Sequence, residues 1–158
     1  IEPFGAYSTK IKDLKDLPDG ASVAIPNDPV NTGRALVLLH EAGLIKLKDP
    51  SNTLATQRDI AENPKKLKIR ELEGALLARA VNQVDLAFVF ANYALEAGID
   101  TNSALIVEKG KDLYVEYLVA RPDNLQDPGI QKLAKALNTP EVRNFILTRY
   151  KGQIAPGF

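Results

Sequence analysis

Arg34 ends the stretch with the clearest chemical potential in this chain, Val23-Ala-Ile-Pro-Asn-Asp-Pro-Val-Asn-Thr-Gly-Arg34. Val23 to Ile25 read as a short buried strand. Pro26, Asn27, Asp28 and Pro29, then Asn31 and Gly33, are turn-forming types. Ala35, Leu36, Leu38, Leu39 and Ala42 follow at helical spacing, up to a stop at Gly43. A strand that passes through a polar turn into a helix collects anions, because the first helical N–H groups lack partners and the helix dipole favours negative charge there. Arg34, expected in the first turn, adds a planar fork suited to a carboxylate or phosphate. The stretch reads as a holder for the anionic end of a small ligand, with Asn31 and Gly33 lining it. The alternative is an ordinary strand-to-helix connection with Arg34 on the surface.

Two further places have the same logic, since ligands in α/β sheets bind beyond the carboxyl ends of strands. One is Phe90-Ala91-Asn92, directly after the apolar run Val84–Phe90. The other is Tyr114 to Tyr117, which includes Glu116. Catalytic chemistry finds less support. Ser8, Ser22, Ser51 and Ser103 lack a nucleophile elbow. His40 lies inside an amphipathic helix, where a structural role is expected. The close carboxylates Glu71 and Glu73, or Asp13 and Asp16, sit in charged, solvated stretches. There is no Gly-rich phosphate loop. With one His and no Cys, thiol catalysis, disulfides and His- or Cys-rich metal sites are excluded. No enzyme activity, cofactor or metal is expected.

The elements that must position these residues fit an α/β domain. The chain has 158 residues, 45% apolar and 25% charged, with 20 basic and 20 acidic side chains. This is an ordinary globular mixture, and its zero net charge offers no basic surface for nucleic acid. No apolar run is long enough to span a bilayer. There is no Met, and the chain opens on Ile-Glu-Pro-Phe, so it reads as a fragment or processed form whose targeting signal went with its start.

In order, the pattern predicts an extended piece over residues 1–12 and a helical turn before Asp19-Gly20. The strand, turn and helix of 23–43 come next, then a strand-like tail Leu44–Lys48 and a short helix over Thr56–Asn63. A strand over Leu67–Leu72, a helix over Gly74–Asn82, the doubly buried strand Val84–Phe90 and a helix over Asn92–Gly98 follow. Leu105–Val107 begins a strand, Lys109–Asp112 turns, and Leu113–Arg121 reads as a longer strand. Helices are expected from Asp127 to Leu137 and from Thr139 onward, each with Pro at its first position. Strands alternating with helices predict a largely parallel sheet.

Several of these motifs together resemble a known family. The stretch ending at Arg34, then Gly43-Leu-Ile-Lys-Leu-Lys-Asp49 and Asp59-Ile-Ala-Glu-Asn-Pro-Lys-Lys-Leu-Lys-Ile69, are similar to the methionine-binding lipoproteins of bacterial ABC importers, the NlpA lipoprotein family. Ile1-Glu-Pro-Phe-Gly-Ala-Tyr-Ser8, Asn92-Tyr-Ala-Leu-Glu-Ala-Gly98 and Tyr150-Lys-Gly152 fit the same pattern. The resemblance implies a type II periplasmic-binding-protein fold in which two α/β lobes close over a ligand. It implies that residues 20–112 form the second lobe. Residues 1–19 and 113–158 would be crossing strands and a remnant of a first lobe that is incomplete in this chain, with an edge open to self-association or domain swapping.

The resemblance also implies uptake of methionine or a related amino acid and a partnership with an ABC transporter permease. A lipid-anchored place in the periplasm or on the outer face of the cytoplasmic membrane goes with these. Arg34 matches the residue that pairs with the ligand carboxylate, and Arg34→Ala is expected to abolish binding with little effect on folding. The family carries Asn where this chain has Phe90 and Glu116. Phe90, Asn92 and Glu116 would then shape the rest of the pocket for a different ligand. The alternative is a structural or interaction lipoprotein that keeps the fold without a ligand.

Overall fold

A computed structural model of the protein describes residues 1–108 and 114–158. The chain packs as two compact units, Phe4–Glu108 and Ile1–Pro3 with Lys109–Phe158.

The first unit is built on a five-stranded sheet. Its strands are β1 (Phe4–Tyr7), β2 (Ser22–Pro26), β5 (Lys68–Leu72), β6 (Leu86–Phe90) and β7 (Ile106–Val107), in the order β5-β2-β6-β1-β7. β2 runs parallel to both β5 and β6, whereas β1 runs antiparallel to β6 and β7. One strand alone is thus reversed, but because β1 lies inside the sheet two of the four pairings are antiparallel, and the sheet is mixed where the alternating pattern predicts a largely parallel one. A separate two-stranded ribbon joins β3 (Lys46–Leu47) to β4 (Ile60–Glu62).

Side-chain alternation sends the strands' residues to two cores. Phe4, Ala6, Val23, Ile25, Leu86 and Phe88 pack on one face with Leu36 and Leu39 of α1 (Pro29–Glu41). Tyr7, Ala24, Ala87 and Val89 pack on the other with Leu77 of α2 (Gly74–Ala80) and Ala94 of α3 (Ala91–Glu96). Helices on both faces explain why Leu86–Val89 is continuously apolar: neither side of β6 meets water.

Local chemistry fixes α1 at both ends. The Asp28 carboxylate accepts the Asn31 N–H at 3.0 Å, and Pro29 takes the first helical position. At the far end Gly43 adopts φ +74°. Its N–H reaches the His40 carbonyl and the Leu44 N–H reaches that of Leu39, the paired bonds of a Schellman motif. His40 itself is structural, its Nδ1 accepting the Leu47 N–H at 3.2 Å.

A carboxylate ties β2 to β6 at their starts. Asp85 Oδ2 accepts both the N–H and the hydroxyl of Ser22 at 2.7 Å, and Lys10 Nζ lies 3.1 Å from Oδ1. The Ser22 N–H and then its hydroxyl, with Lys10 after them, hold the Asp85 carboxyl down to about 2.

The second unit contains α4 (Pro128–Leu137) and α5 (Pro140–Tyr150). Asp127 caps α4 and Thr139 caps α5, each ahead of the proline expected from the pattern. The first and last stretches of this sequence pair here: the Ile1 nitrogen donates to the Ala155 carbonyl at 2.6 Å, and the Ala155 N–H to the Ile1 carbonyl at 3.0 Å.

Two expectations are corrected. Thr56–Asn63 is not a helix but a single 3-10 turn, Gln57–Asp59, leading into β4. The Thr56 and Asp59 side chains form a reciprocal cap that imitates a helix start, and pairing of Ile60–Glu62 with Lys46–Leu47 then draws the chain straight. The long strand expected over Leu113–Arg121 is absent from its described part, 114–121, which forms no ladder among the described residues. Strand pairing needs a partner, and an alternating sequence supplies only one half of it. Leu113 and the expected turn Lys109–Asp112 lie outside the described residues.

Candidate functional site

The chain order across the sheet defines where a ligand belongs. From β2 the chain passes through α1 to β5 on one side. From β5 it passes through α2 to β6 on the other side of β2. The carboxyl ends of β2 and β6 therefore flank a topological switch point, the place where open α/β sheets bind ligands. The turn Pro26–Asp28 and α1 leave from one strand end, and α3 begins directly at the other, with Phe90 as its N-cap.

Arg34 stands at this point and is 6% exposed. It is the sixth residue of α1, one turn deeper than expected. The first turn of the helix is closed by Asp28, whose carboxylate also accepts the Asn31 side-chain amide at 3.0 and 3.1 Å. Asp28 thus takes the Asn31 N–H with its carboxylate and the Thr32 N–H with its carbonyl, which leaves the guanidinium of Arg34 as the cationic group at this strand end. Burial settles the reading of Arg34 as a surface residue against that alternative. A fixed charge is rarely withdrawn from water unless its partners are built around it.

Those partners come from across the unit. The Glu108 carboxylate takes the guanidinium bidentately, with Nε at 2.6 Å from Oε1 and Nη2 against Oε2. The Phe4 ring lies 4.9 Å from the guanidinium carbon and the Phe90 ring 6.0 Å. The two rings stack at 4.7 Å with 29° between their planes. Asn31 Oδ1 lies 3.5 Å from Nη1. Thr32, the next residue of α1, turns its hydroxyl back to the Pro26 carbonyl at 2.8 Å and so locks the helix to the end of β2.

Gly33 lets this turn of α1 meet the neighbouring loop. A Cβ there would sit 2.2 Å from the Thr53 carbonyl oxygen. Asn92 faces its own helix, its Oδ1 accepting the Tyr93 N–H at 2.6 Å. Glu116 is exposed and belongs to the other unit. Among the expected site residues, Arg34, Asn31 and Phe90 converge, Gly33 makes room for the turn that carries Asn31 and Arg34, and Asn92 is the second residue of α3. Phe4 and Glu108 complete the arrangement and were not anticipated. Glu108 is 74 residues from Arg34 along the chain, so no local spacing signals the pair.

Elsewhere in the unit, a cleft of about 510 Å³ is lined by Tyr7, Thr9, Arg79, Asn82, Asp100 and Ser103. Burial, and then the Asp100 carboxylate, push the Tyr7 hydroxyl above its ordinary range. This cleft adjoins the α2 and α3 side of the sheet, away from the switch point. Among the described residues, no three His, Asp or Glu side chains gather as a metal site would require. No helix among them is long and apolar enough to cross a membrane.

Known proteins place this arrangement in a class. A nutrient-binding protein from Burkholderia cenocepacia, solved bound to methionine, matches at a TM-score of 0.94 and 46% identity, over 100% of this chain and 67% of that one. An ABC transporter periplasmic substrate-binding protein from Coxiella burnetii matches at 0.90 and 42%, over 98% of this chain and 66% of that one. The fold is that of a periplasmic binding protein of type II, with one lobe incomplete in this chain.

The family follows from the sequence. The model of the NlpA lipoprotein family matches residues 1–158, and the chain belongs to that family. The probable D-methionine-binding lipoprotein MetQ of Pasteurella multocida is 46% identical over 159 residues. That match takes in the whole of this chain and 58% of the relative's length.

Proposed function

We propose that this chain is part of the substrate-binding component of an ABC amino-acid importer, and that it captures methionine or a related amino acid. The observation that carries the reading is the burial of Arg34 at the switch point between β2 and β6. The ligand carboxylate pairs with Arg34, Phe4 and Phe90 supply apolar walls, and Asn31 steadies the cation. The relatives' printed descriptions, methionine-bound in one case and D-methionine-binding in another, support this ligand class. Phe90 offers a ring where an amide was implied, so the ligand's amino group is held elsewhere, with Asn92 and Glu116 as candidates. The reaction is binding, not catalysis. Closure of two lobes over the ligand is the state a permease recognises, with residues 20–112 the core of one lobe and 1–19 and 113–158 belonging to the crossing strands and the other. The relatives' lipoprotein names support a lipid-anchored, periplasm-facing location. The exposed side chains of Tyr117 and Val119 support self-association through this stretch.

Calorimetric titration of the full-length protein with L- and D-methionine tests the reading. Arg34→Lys keeps the charge but loses the bidentate fork. It should weaken binding roughly tenfold to a hundredfold, the equivalent of about 1.5–3 kcal/mol for a charge-assisted hydrogen bond. Binding by neither isomer, or equal binding by the variant, overturns the proposal. Arg34→Ala serves less well than the sequence suggested. It strands the nearly buried Glu108 carboxylate, at a cost to folding on the order of 3 kcal/mol.

A further inference from the structure

Tyr7 ends β1 and pairs with Ala87, near the start of β6, so it lies at the opposite end of β6 from Phe90. Its residue is 5% exposed, and it lines the cleft of about 510 Å³ at the C-terminal ends of α2 and α3. Among the described residues its hydroxyl has no hydrogen-bond partner. The Asp100 carboxylate, also in the lining, acts on that hydroxyl, which therefore faces the cleft. A buried polar group without a partner is costly and calls for an explanation.

The charges in the lining are unmatched as well. Asp100 Oδ1 accepts the Asn102 N–H at 2.9 Å and its side-chain amide at 3.1 Å, which leaves Oδ2 open toward the cleft. Arg79 enters none of the ion pairs of the described residues. Cation and anion thus line one cleft without pairing with each other. Apolar side chains, Ala78, Val81 and Ile99, lie in the same lining. The Thr9 hydroxyl donates to the Val81 carbonyl at 3.4 Å and ties the loop after β1 to the end of α2. The volume falls in the range of small-molecule sites.

We infer that this cleft is a second ligand site, which takes a small zwitterion carrying a primary ammonium and a carboxylate, an amino acid or a dipeptide. The ammonium has three donors. One goes to Asp100 Oδ2 and one to the Tyr7 oxygen, which gives the phenol its missing partner. The carboxylate takes the fork of Arg79, and the body of the ligand lies along Val81 and Ile99. Arg34 has no part in this site, which does not depend on what Arg34 holds.

The test is a titration of the ¹⁵N-labelled full-length protein with L-methionine and with methionylglycine, read from the backbone amide shifts of Gly98, Asp100 and Ser103. Both shapes of ligand carry the required groups, and the one that saturates these shifts at the lower concentration is the source. Tyr7→Phe, which keeps the ring, and Arg79→Ala, at an exposed position, should each weaken this step about tenfold, the loss of one hydrogen bond to a charged group. Methionine methyl ester, without the carboxylate, and N-acetylmethionine, without the ammonium, should bind here about tenfold more weakly than methionine. Arg34→Lys should leave the step unchanged. The inference is overturned if neither zwitterion gives a saturable shift, if either Tyr7→Phe or Arg79→Ala keeps full affinity, if the ester or the acetyl compound binds as well as methionine, or if Arg34→Lys removes the step.

Discussion

The two units differ in how they bury apolar surface. In Phe4–Glu108, the sheet is covered on both faces, and Phe4, Val23, Ile25, Leu36, Leu86 and Phe88 are sealed from water. In 114–158, no described residue is fully buried. Tyr117 is 78% exposed, Val119 85% and Phe145 60%. α5 has good caps, yet none of its residues is buried, and Val142, Ile146 and Tyr150 are only partly covered. Local signals suffice to make a helix, whereas a core needs layers on both sides of a sheet. The contrast teaches that the first unit holds buried cores of its own, whereas the described part of the second holds none.

The sharpest way to break this comparison is to truncate one phenylalanine in each unit. Phe88→Ala should lower stability by about 3–5 kcal/mol, the usual cost of emptying a filled core site. Phe145→Ala should change it by less than about 0.5 kcal/mol, as for other exposed positions. Urea unfolding of the two variants measures both, and similar losses would refute the asymmetry.

Gly33 is the next largest effect. Its added methyl would meet the Thr53 carbonyl, a backbone atom that cannot swing aside. Gly33→Ala should therefore destabilise the first unit by about 1–3 kcal/mol through overpacking. Thermal unfolding gives the answer, and an unchanged midpoint would mean that the loop around Thr53 moves freely. The corresponding crowding in the second unit, Gly157 against Val115 Cγ1 at 3.0 Å, involves a side chain that can rotate, so Gly157→Ala should be tolerated.

The smallest effect is a pH dependence. Asp85 titrates at about 2 in the folded protein against an ordinary 3.8. A depressed carboxyl stabilises the fold fully above its unfolded value and loses that contribution as pH falls through its folded one. The window is thus from about pH 4 down to about pH 2. Because Asp85 is partly solvated, about 1 kcal/mol is expected after screening. Asp85→Asn should flatten this loss in acid unfolding curves, and an unchanged curve would show that the strand clamp matters little.

Most of the first unit was legible in the sequence because its signals are local or periodic. Val84–Phe90 announced a doubly buried strand, and Asp28-Pro29 with Gly43 bounded α1. Arg34 was legible as a candidate but not as a buried one, since burial depends on what arrives from elsewhere. Phe4 arrives on β1 and Glu108 directly after β7, and only strand pairing brings them to Arg34. Ile60–Glu62 was hidden for the same reason: its cap mimics a helix, and its fate is decided by β3. The described part of Leu113–Arg121 shows the converse, a good strand pattern that finds no partner strand among the described residues.

The pairing of Arg34 with Glu108 also sets the charge that the site presents to solution. One cation and one anion sum to zero, so the pair draws in no excess of chloride or phosphate from the medium. An amino acid at neutral pH is likewise a dipole without net charge. Under the proposed reading, its match to the pair would be one of dipole to dipole, felt at contact distance and barely screened by mobile ions. Affinity should accordingly change little between low and physiological salt. Simple inorganic anions, which offer a charge and nothing to balance it, should be poor competitors.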